Sequence, residues 1–396
     1  MTMSDSALKH IEHLSVAIGP RGSTTPKEKE GHDYAHKVLS GLGCEPRFEE
    51  FLSSPSIYLQ FALATGLMLV AEGLYWFMSR GANAQTGALA AAIVGVVVMA
   101  SVLLELLGMN NPTRWFTPTA PSQNVIGVTP AGGEAKKKLA IVAHVDSHRT
   151  PLIWQSRRTF KIYRVLSTLG TVGLAALVVI FVAGTFAPGE GLRLASLVPT
   201  ALVAILFLMV VQAHNTPFTA GANDNASGVG VMLALAGQLK QQPLPNTEVW
   251  WVASGCEEVG AYGSEAFVRR HEADFANGLV IVVDNVAGKG TNPTYLTSEG
   301  IVIQLKYPAD GLALAEAVAK AHPELGGRPY VQQGAGTDGM PALKAGLNTV
   351  SFLGFTPDGW IPDWHNKSDI FANVDADAVD RTERFVLALM QKFDAG

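Results

Sequence analysis

The sequence predicts a mixed, mostly parallel α/β sheet flanked by helices, with four transmembrane helices added in two hairpins. Three observations point there. Short apolar strands alternate with segments of helical period through the polar part of the chain. Four long apolar runs come in close pairs. Hydrophobic residues make up 48% of the 396 residues and charged residues only 16%, well below the roughly 25% charged of a typical soluble domain.

In chain order, residues 1–14 are polar and mixed in charge, without the apolar core of a signal peptide. Residues 27–42 have helical period, with Pro26 as a start signal and Gly43 as a stop. The first apolar run, 57–78, carries a single charge, Glu72, and the second, 86–107, carries Glu105 near its end. Residues 124–128 and 139–143 read as strands. The third and fourth runs, 165–187 and 194–211, are uncharged, and the fourth contains Pro199. A helix is expected at 226–240, strands at 247–253 and 279–283, a helix at 311–321, a strand at 349–353 and a closing helix at 379–393.

At about 1.5 Å rise per residue, each apolar run is long enough to cross a hydrocarbon core of about 30 Å. The short links 80–85 and 188–193 make antiparallel hairpins, so each pair returns the chain to the side it left. All long polar segments then share one membrane face. That face holds Arg114, Arg157, Arg158, Lys161 and Arg164, whereas the turns carry only Arg80 and Arg193. The positive-inside rule therefore puts the polar bulk in the cytoplasm. The expected organisation is a polar domain of residues 1–52, 110–160 and 213–396, with hairpins at 56–108 and 164–212. Glu72, close to Tyr75 and Trp76, is expected to face the bundle or an interface rather than to line a substrate or proton path. The lipid bilayer is thus one expected partner. Nucleic acid is not, because the formal charge is -5 and no basic stripe is present. Cys44 and Cys256 form neither a disulfide framework nor a zinc-finger spacing.

In open α/β sheets, ligands bind beyond the carboxyl ends of the strands. Metal-capable side chains sit at those ends here. Strand 139–143 runs into His144-Val145-Asp146, and strand 247–253 leads to Glu257-Glu258. Strand 279–283 runs into Asp284, and strand 349–353 leads to the loop holding His365. Asp224 precedes the helix at 226–240. Zinc accepts imidazole nitrogen and carboxylate oxygen and leaves room for water at a catalytic site. Two zinc ions about 3.5–4 Å apart need a bridging carboxylate. A further acidic group must take the proton from the water. The adjacent Glu257 and Glu258 suit that division, since neighbours after a strand point in different directions.

At these residues the sequence resembles the co-catalytic zinc aminopeptidases of metallopeptidase family 28, which also holds glutamate-carboxypeptidase-like and glutaminyl-cyclase-like members. The resemblance runs through Gly19-Pro20-Arg21-Gly22-Ser23, Asn124-Val125-Ile126, His144-Val145-Asp146-Ser147, Asn223-Asp224-Asn225-Ala226-Ser227-Gly228, Glu257-Glu258-Val259-Gly260 and Gly263-Ser264, then Asp284 and His365. It implies two zinc ions bridged by Asp224, one completed by His144 and Asp284, the other by Glu258 and His365. It implies Glu257 as general base and Asp146 as the acceptor that sets the His144 tautomer. His148, His214 and His271 compete with His365 for its place, His148 lying close to the site, and Cys256 is expected to be a small packed residue.

The chain departs from the family pattern in three places. The interval from His144 to Asp224 is 224 − 144 = 80 residues, far longer than the short loop usual there, and the second hairpin fills it. The first hairpin lies between Phe51 and Asn124. Gly336-Thr337-Asp338-Gly339 stands where relatives often carry a Ser-Asp-His run, so no oxyanion donor is placed, and no residue marks an amino-terminus pocket. The resemblance implies peptide hydrolysis, as an aminopeptidase on short peptides. The alternatives are glutaminyl cyclisation with one zinc, which in relatives does not need His144 and Asp284 as ligands, a catalytically silent membrane scaffold and, more weakly, a transporter, for which four spans are few.

Overall fold

The computed structural model describes residues 3–396. The chain forms two compact units, one of Met1–Pro55, Thr119–Arg149 and Phe218–Gly396, the other of Ser56–Pro118 and Thr150–Pro217.

The first unit is built on a nine-stranded mixed sheet: β1 (Arg47–Ser53), β2 (Ala120–Thr129), β3 (Lys137–His144), β4 (Thr247–Ser254), β5 (Leu279–Asp284), β6 (Asn292–Glu299), β7 (Leu305–Lys306), β8 (Arg328–Val331) and β9 (Thr349–Phe355). Their order is β1-β2-β4-β3-β5-β9-β6-β7, with β8 paired to β6. The four central strands β4, β3, β5 and β9 are parallel, with Ile141 opposite both Trp251 and Ile281, and Val282 opposite Ser351. Strands β2 and β6 flank them antiparallel. Successive side chains of a strand point to opposite faces. Leu139, Ile141 and Ala143 therefore pack with Leu39, Leu233 and Leu389 of the helices Pro26–Leu42, Ser227–Gln241 and Ala376–Ala395. Ala140 and Val142 meet Phe267 and Phe275 on the other side. Cover on both faces is why these strands read as unbroken apolar runs.

The helix at Pro26–Leu42 begins where the Thr25 hydroxyl accepts the Glu28 amide at 3.3 Å and ends at Gly43, left-handed at φ 78°. The last helix, Ala376–Ala395, is capped by Asp375, whose carboxylate accepts from the amides of Asp377 and Ala378. Several elements carry no apolar signal in the sequence. Strand β1, Arg-Phe-Glu-Glu-Phe-Leu-Ser, is an edge strand whose Glu49 pairs with Arg47 at 3.0 Å and His271 at 2.9 Å. Strands β6 to β8 form the opposite side of the sheet, and the helices Met3–Glu12 and Tyr262–His271 are short and charged.

The second unit contains four helices long and apolar enough to cross a membrane, Ile57–Met78, Gly81–Leu106, Arg157–Phe186 and Glu190–His214. Residues 110–118, 150–160 and 213–217 belong to this unit rather than to the sheet. Small residues set its close packing. A Cβ on Gly173 would stand 3.0 Å from the Pro199 carbonyl, and one on Gly170 2.9 Å from Leu206. Val70, Ile93, Val179, Val198 and Leu208 face outward and are exposed. Glu72 is buried within the unit and accepts from the Ser196 hydroxyl at 2.6 Å. Glu105 binds Arg114 through two contacts of 2.7 and 2.9 Å. Pro199 lies inside a helix that continues past it to His214.

Candidate metal centre

Parallel strands bring their carboxyl ends to one edge, and the candidate residues gather there. His144 closes β3 and Asp284 closes β5. The His144 Nε2 lies 3.3 Å from Asp284 Oδ1 and 3.4 Å from Asp224 Oδ1. On the other side, His365 Nε2 lies 3.2 Å from Asp224 Oδ2 and 3.2 Å from Glu258 Oε2. Asp224 therefore turns one oxygen toward each imidazole. Glu257 Oε2 stands 3.9 Å from His144 Nε2. Residues 144, 224, 258, 284 and 365, spread over 222 positions (366 − 144), come together with Glu257 beside them.

The surrounding chain holds these side chains in place. The Asp369 carboxylate accepts the amides of Asn223 at 2.6 Å and Asp224 at 3.1 Å. Asn225 donates to the Val283 carbonyl at 2.9 Å, tying the segment to the end of β5. Asp146 accepts the amides of Glu257 at 3.0 Å and Glu258 at 3.2 Å and the Ser23 hydroxyl at 2.6 Å. For the His144 Nδ1, the nearer Asp146 acceptor is the backbone carbonyl, at 3.1 Å, with the carboxylate at 3.5 Å. The carboxylate thus serves chiefly to fix the Glu257-Glu258 backbone. The buried Arg21 donates to the carbonyls of Leu14, Gly19, Val145, Ala220 and Gly221. It joins the chain after His144 to the chain before Asp224. The buried Glu28 accepts the Cys256 amide at 2.9 Å and the Ser122 hydroxyl at 2.9 Å, and the Cys256 thiol also points to it. Burial raises the Glu28 pKa to about 8. Three non-glycine residues beside or among the candidate ligands hold left-handed backbone: Cys256 at φ 57°, Asn285 at φ 54° and His365 at φ 52°. Such strain persists only where surrounding contacts over-determine the chain.

The donor set fits zinc. Four carboxylates and two imidazoles occupy a small buried space. Asp224 Oδ2 and Glu258 Oε1 are buried there and receive no hydrogen bond in proper geometry. Burial, with the nearby charges of Glu258, Asp338 and Asp284, pushes the Glu257 carboxyl well above its ordinary range against the pull of His144. Burial and Asp224 do the same to Glu258. Burial works to raise Asp224 as well, but His144 and His365 outweigh it and hold that carboxyl far below its ordinary range. A cluster so crowded with carboxylates matches divalent cations, which alter the local electrostatics more than any side chain can. Ligand atoms from His144, Asp224 and Glu258 lie within 4.8 Å of one another, as do those from His148, Glu258 and His365.

Asp369, Glu28 and Asp338 support the site; Asp338 falls in the segment 336–339 that departs from the family pattern, and no local pattern singled out the other two. Asp338 is buried, accepts the Ser254 hydroxyl at 2.5 Å and has its pKa raised by burial to about 7.

Residues 206–390 match the family model described as Peptidase family M28. Among curated proteins, the chain is 28% identical to "Aminopeptidase YwaD" of Bacillus subtilis over 38% of this chain and 33% of that protein. It is 32% identical to the "Probable lipoprotein aminopeptidase LpqL" of Mycobacterium tuberculosis over 24% of this chain and 19% of that one. The matches therefore span a third or less of the length of these relatives. Among solved structures, the fold is similar to BSAP, a zinc aminopeptidase from Bacillus subtilis, with a TM-score of 0.57 and 17% identity over 98% of this chain and 94% of that one. It is equally similar to a glutaminyl cyclase from Tannerella forsythia, with a TM-score of 0.57 and 14% identity over 98% of both chains.

Proposed function

We propose, from the match of residues 206–390 to the model of Peptidase family M28, that the protein is a membrane-anchored metallopeptidase which hydrolyses peptide bonds with two zinc ions, acting as an aminopeptidase on short peptides. The observation that supports this reading most is Asp224, whose two oxygens face the imidazoles of His144 and His365 at 3.4 and 3.2 Å. One ion would be held by Asp224, His144 and Asp284, the other by Asp224, Glu258 and His365. Bound there, zinc supplies Lewis-acid polarisation of the scissile carbonyl and lowers the pKa of water toward neutrality. Glu257 is the general base: its Oε2 takes a proton from the attacking water and delivers it to the amine nitrogen as the C–N bond breaks. The Asp146 carboxylate, through the amides of Glu257 and Glu258, orients base and ligand together. Its carbonyl accepts from His144 Nδ1, a tautomer in which the Nε2 lone pair would be available to a bound ion.

The purified protein is expected to hold two equivalents of zinc and to lose peptide hydrolysis when a chelator removes them. Digestion of a peptide library with and without chelator, read by mass spectrometry, measures activity and polarity together. A second reading is glutaminyl cyclisation with one zinc, favoured by the fold shared with the glutaminyl cyclase. Against it, His144 and Asp284 stand 3.3 Å apart at the site, which supports a second metal. Full activity at one zinc per chain would select the cyclase.

We also read the four apolar helices as spanning a lipid bilayer with the catalytic unit in the cytoplasm, because the basic residues cluster on the polar segments and not in the turns. A reporter fused after Gly396 is expected to behave as cytoplasmic, and a signal from the opposite side reverses the orientation.

A further inference from the structure

We propose that His148 is a further ligand of the metal ion held by Glu258 and His365, an inference that rests on the two-metal reading above. His148 lies in the loop that follows β3, four residues after His144. Its ring stacks on that of His365, with centroids 3.5 Å apart and planes 12° apart. One donor atom each from His148, Glu258 and His365 falls within a 4.8 Å group. Imidazole lone pairs lie in the ring planes, so the two rings must tilt out of their stack for both to reach one ion at bond lengths of about 2 Å. Stacking alone would account for the parallel rings, but it does not require a Glu258 oxygen within reach of both.

The tautomer agrees. His148 Nδ1 stands 2.6 Å from the Arg149 carbonyl, an acceptor only, so Nδ1 carries the proton and donates it. In that tautomer the ring's in-plane lone pair is on Nε2. A metal-binding histidine is commonly oriented in this way, one nitrogen donating to a carbonyl while the other meets the ion.

With Asp224, this ion gains four protein donors, two carboxylates and two imidazoles. A catalytic zinc usually keeps three and leaves a position for water. Open coordination then falls to the ion beside His144 and Asp284. Two imidazoles at one ion also bias the site toward zinc and its transition-metal neighbours over magnesium or calcium.

The test is a zinc competition titration of the full-length protein in detergent against a chromophoric chelator, using wild type and His148→Phe. Phenylalanine keeps a ring that can stack but offers no donor. The expected result is that the variant binds one zinc as the wild type does and the other at least about tenfold more weakly. Equal affinity for both ions overturns the proposal and leaves His148 as a stacking residue. Zinc X-ray absorption on the wild type decides the matter even where the variant does not fold. Three imidazoles per two zinc ions support the assignment, and two overturn it. A wild type that holds fewer than two zinc ions overturns the two-metal reading itself and this inference with it, so the two failures are told apart.

Discussion

Glu257→Gln is expected to keep both zinc ions and to lower kcat by about two to four orders of magnitude, the usual contribution of a general base. The amide preserves the shape of the side chain and cannot take a proton at Oε2. The Glu257 carboxyl is outside the proposed ligand set, and its backbone amide is held by Asp146 at 3.0 Å whatever the side chain, so the neighbouring Glu258 keeps its position. Metal analysis and steady-state kinetics on one preparation make the check. An undiminished rate removes Glu257 from the role of base. Loss of zinc together with rate makes it a ligand instead. A drop in kcat with little change in KM is the pattern expected of a group that acts in the transition state.

Asp224→Asn is expected to have the larger effect on metal: less than one zinc per chain after purification, and a fall in peptide hydrolysis of at least about three orders of magnitude, equivalent to several kcal/mol of transition-state stabilisation. Asn has one carbonyl oxygen and no charge, so it cannot serve two cations at once. The fold is expected to survive. The backbone at this position is held by Asp369 through the amides of Asn223 and Asp224, and the Asn225 side chain independently joins Val283. The thermal transition of the variant should therefore match that of chelated wild type. Two zinc ions retained with full occupancy would remove Asp224 from the bridging position, and with it the main support for a two-metal centre.

Much of the architecture was legible in the residues because it rests on local physics. The central strands β3, β4, β5 and β9 are covered on both faces and so are apolar throughout. The helix Pro26–Leu42 has a Thr–Pro start and a Gly stop. The four long helices of the second unit are apolar along most of their length. Edge elements were not legible. Strand β1 buries only Phe51 and Ser53, and β6 to β8 lack a continuous apolar run. They are strands because a neighbouring strand completes their hydrogen bonds, not because of their composition.

The sequence by itself determined the types of chemistry available: imidazoles and carboxylates at strand ends, and runs of residues that water does not favour. These follow from side-chain composition and period, which need no partner to be read. Tertiary structure alone decided the separations that make a site. Asp224 reaches His144 and His365 from 80 and 141 residues away (224 − 144 and 365 − 224). Asp369, Glu28 and Arg21 act on backbone groups that no spacing rule connects to them. The stack of His148 on His365 belongs to the same class. A ligand needs angstrom placement, and that placement is a property of packed chain segments distant in sequence, not of the residues taken in order.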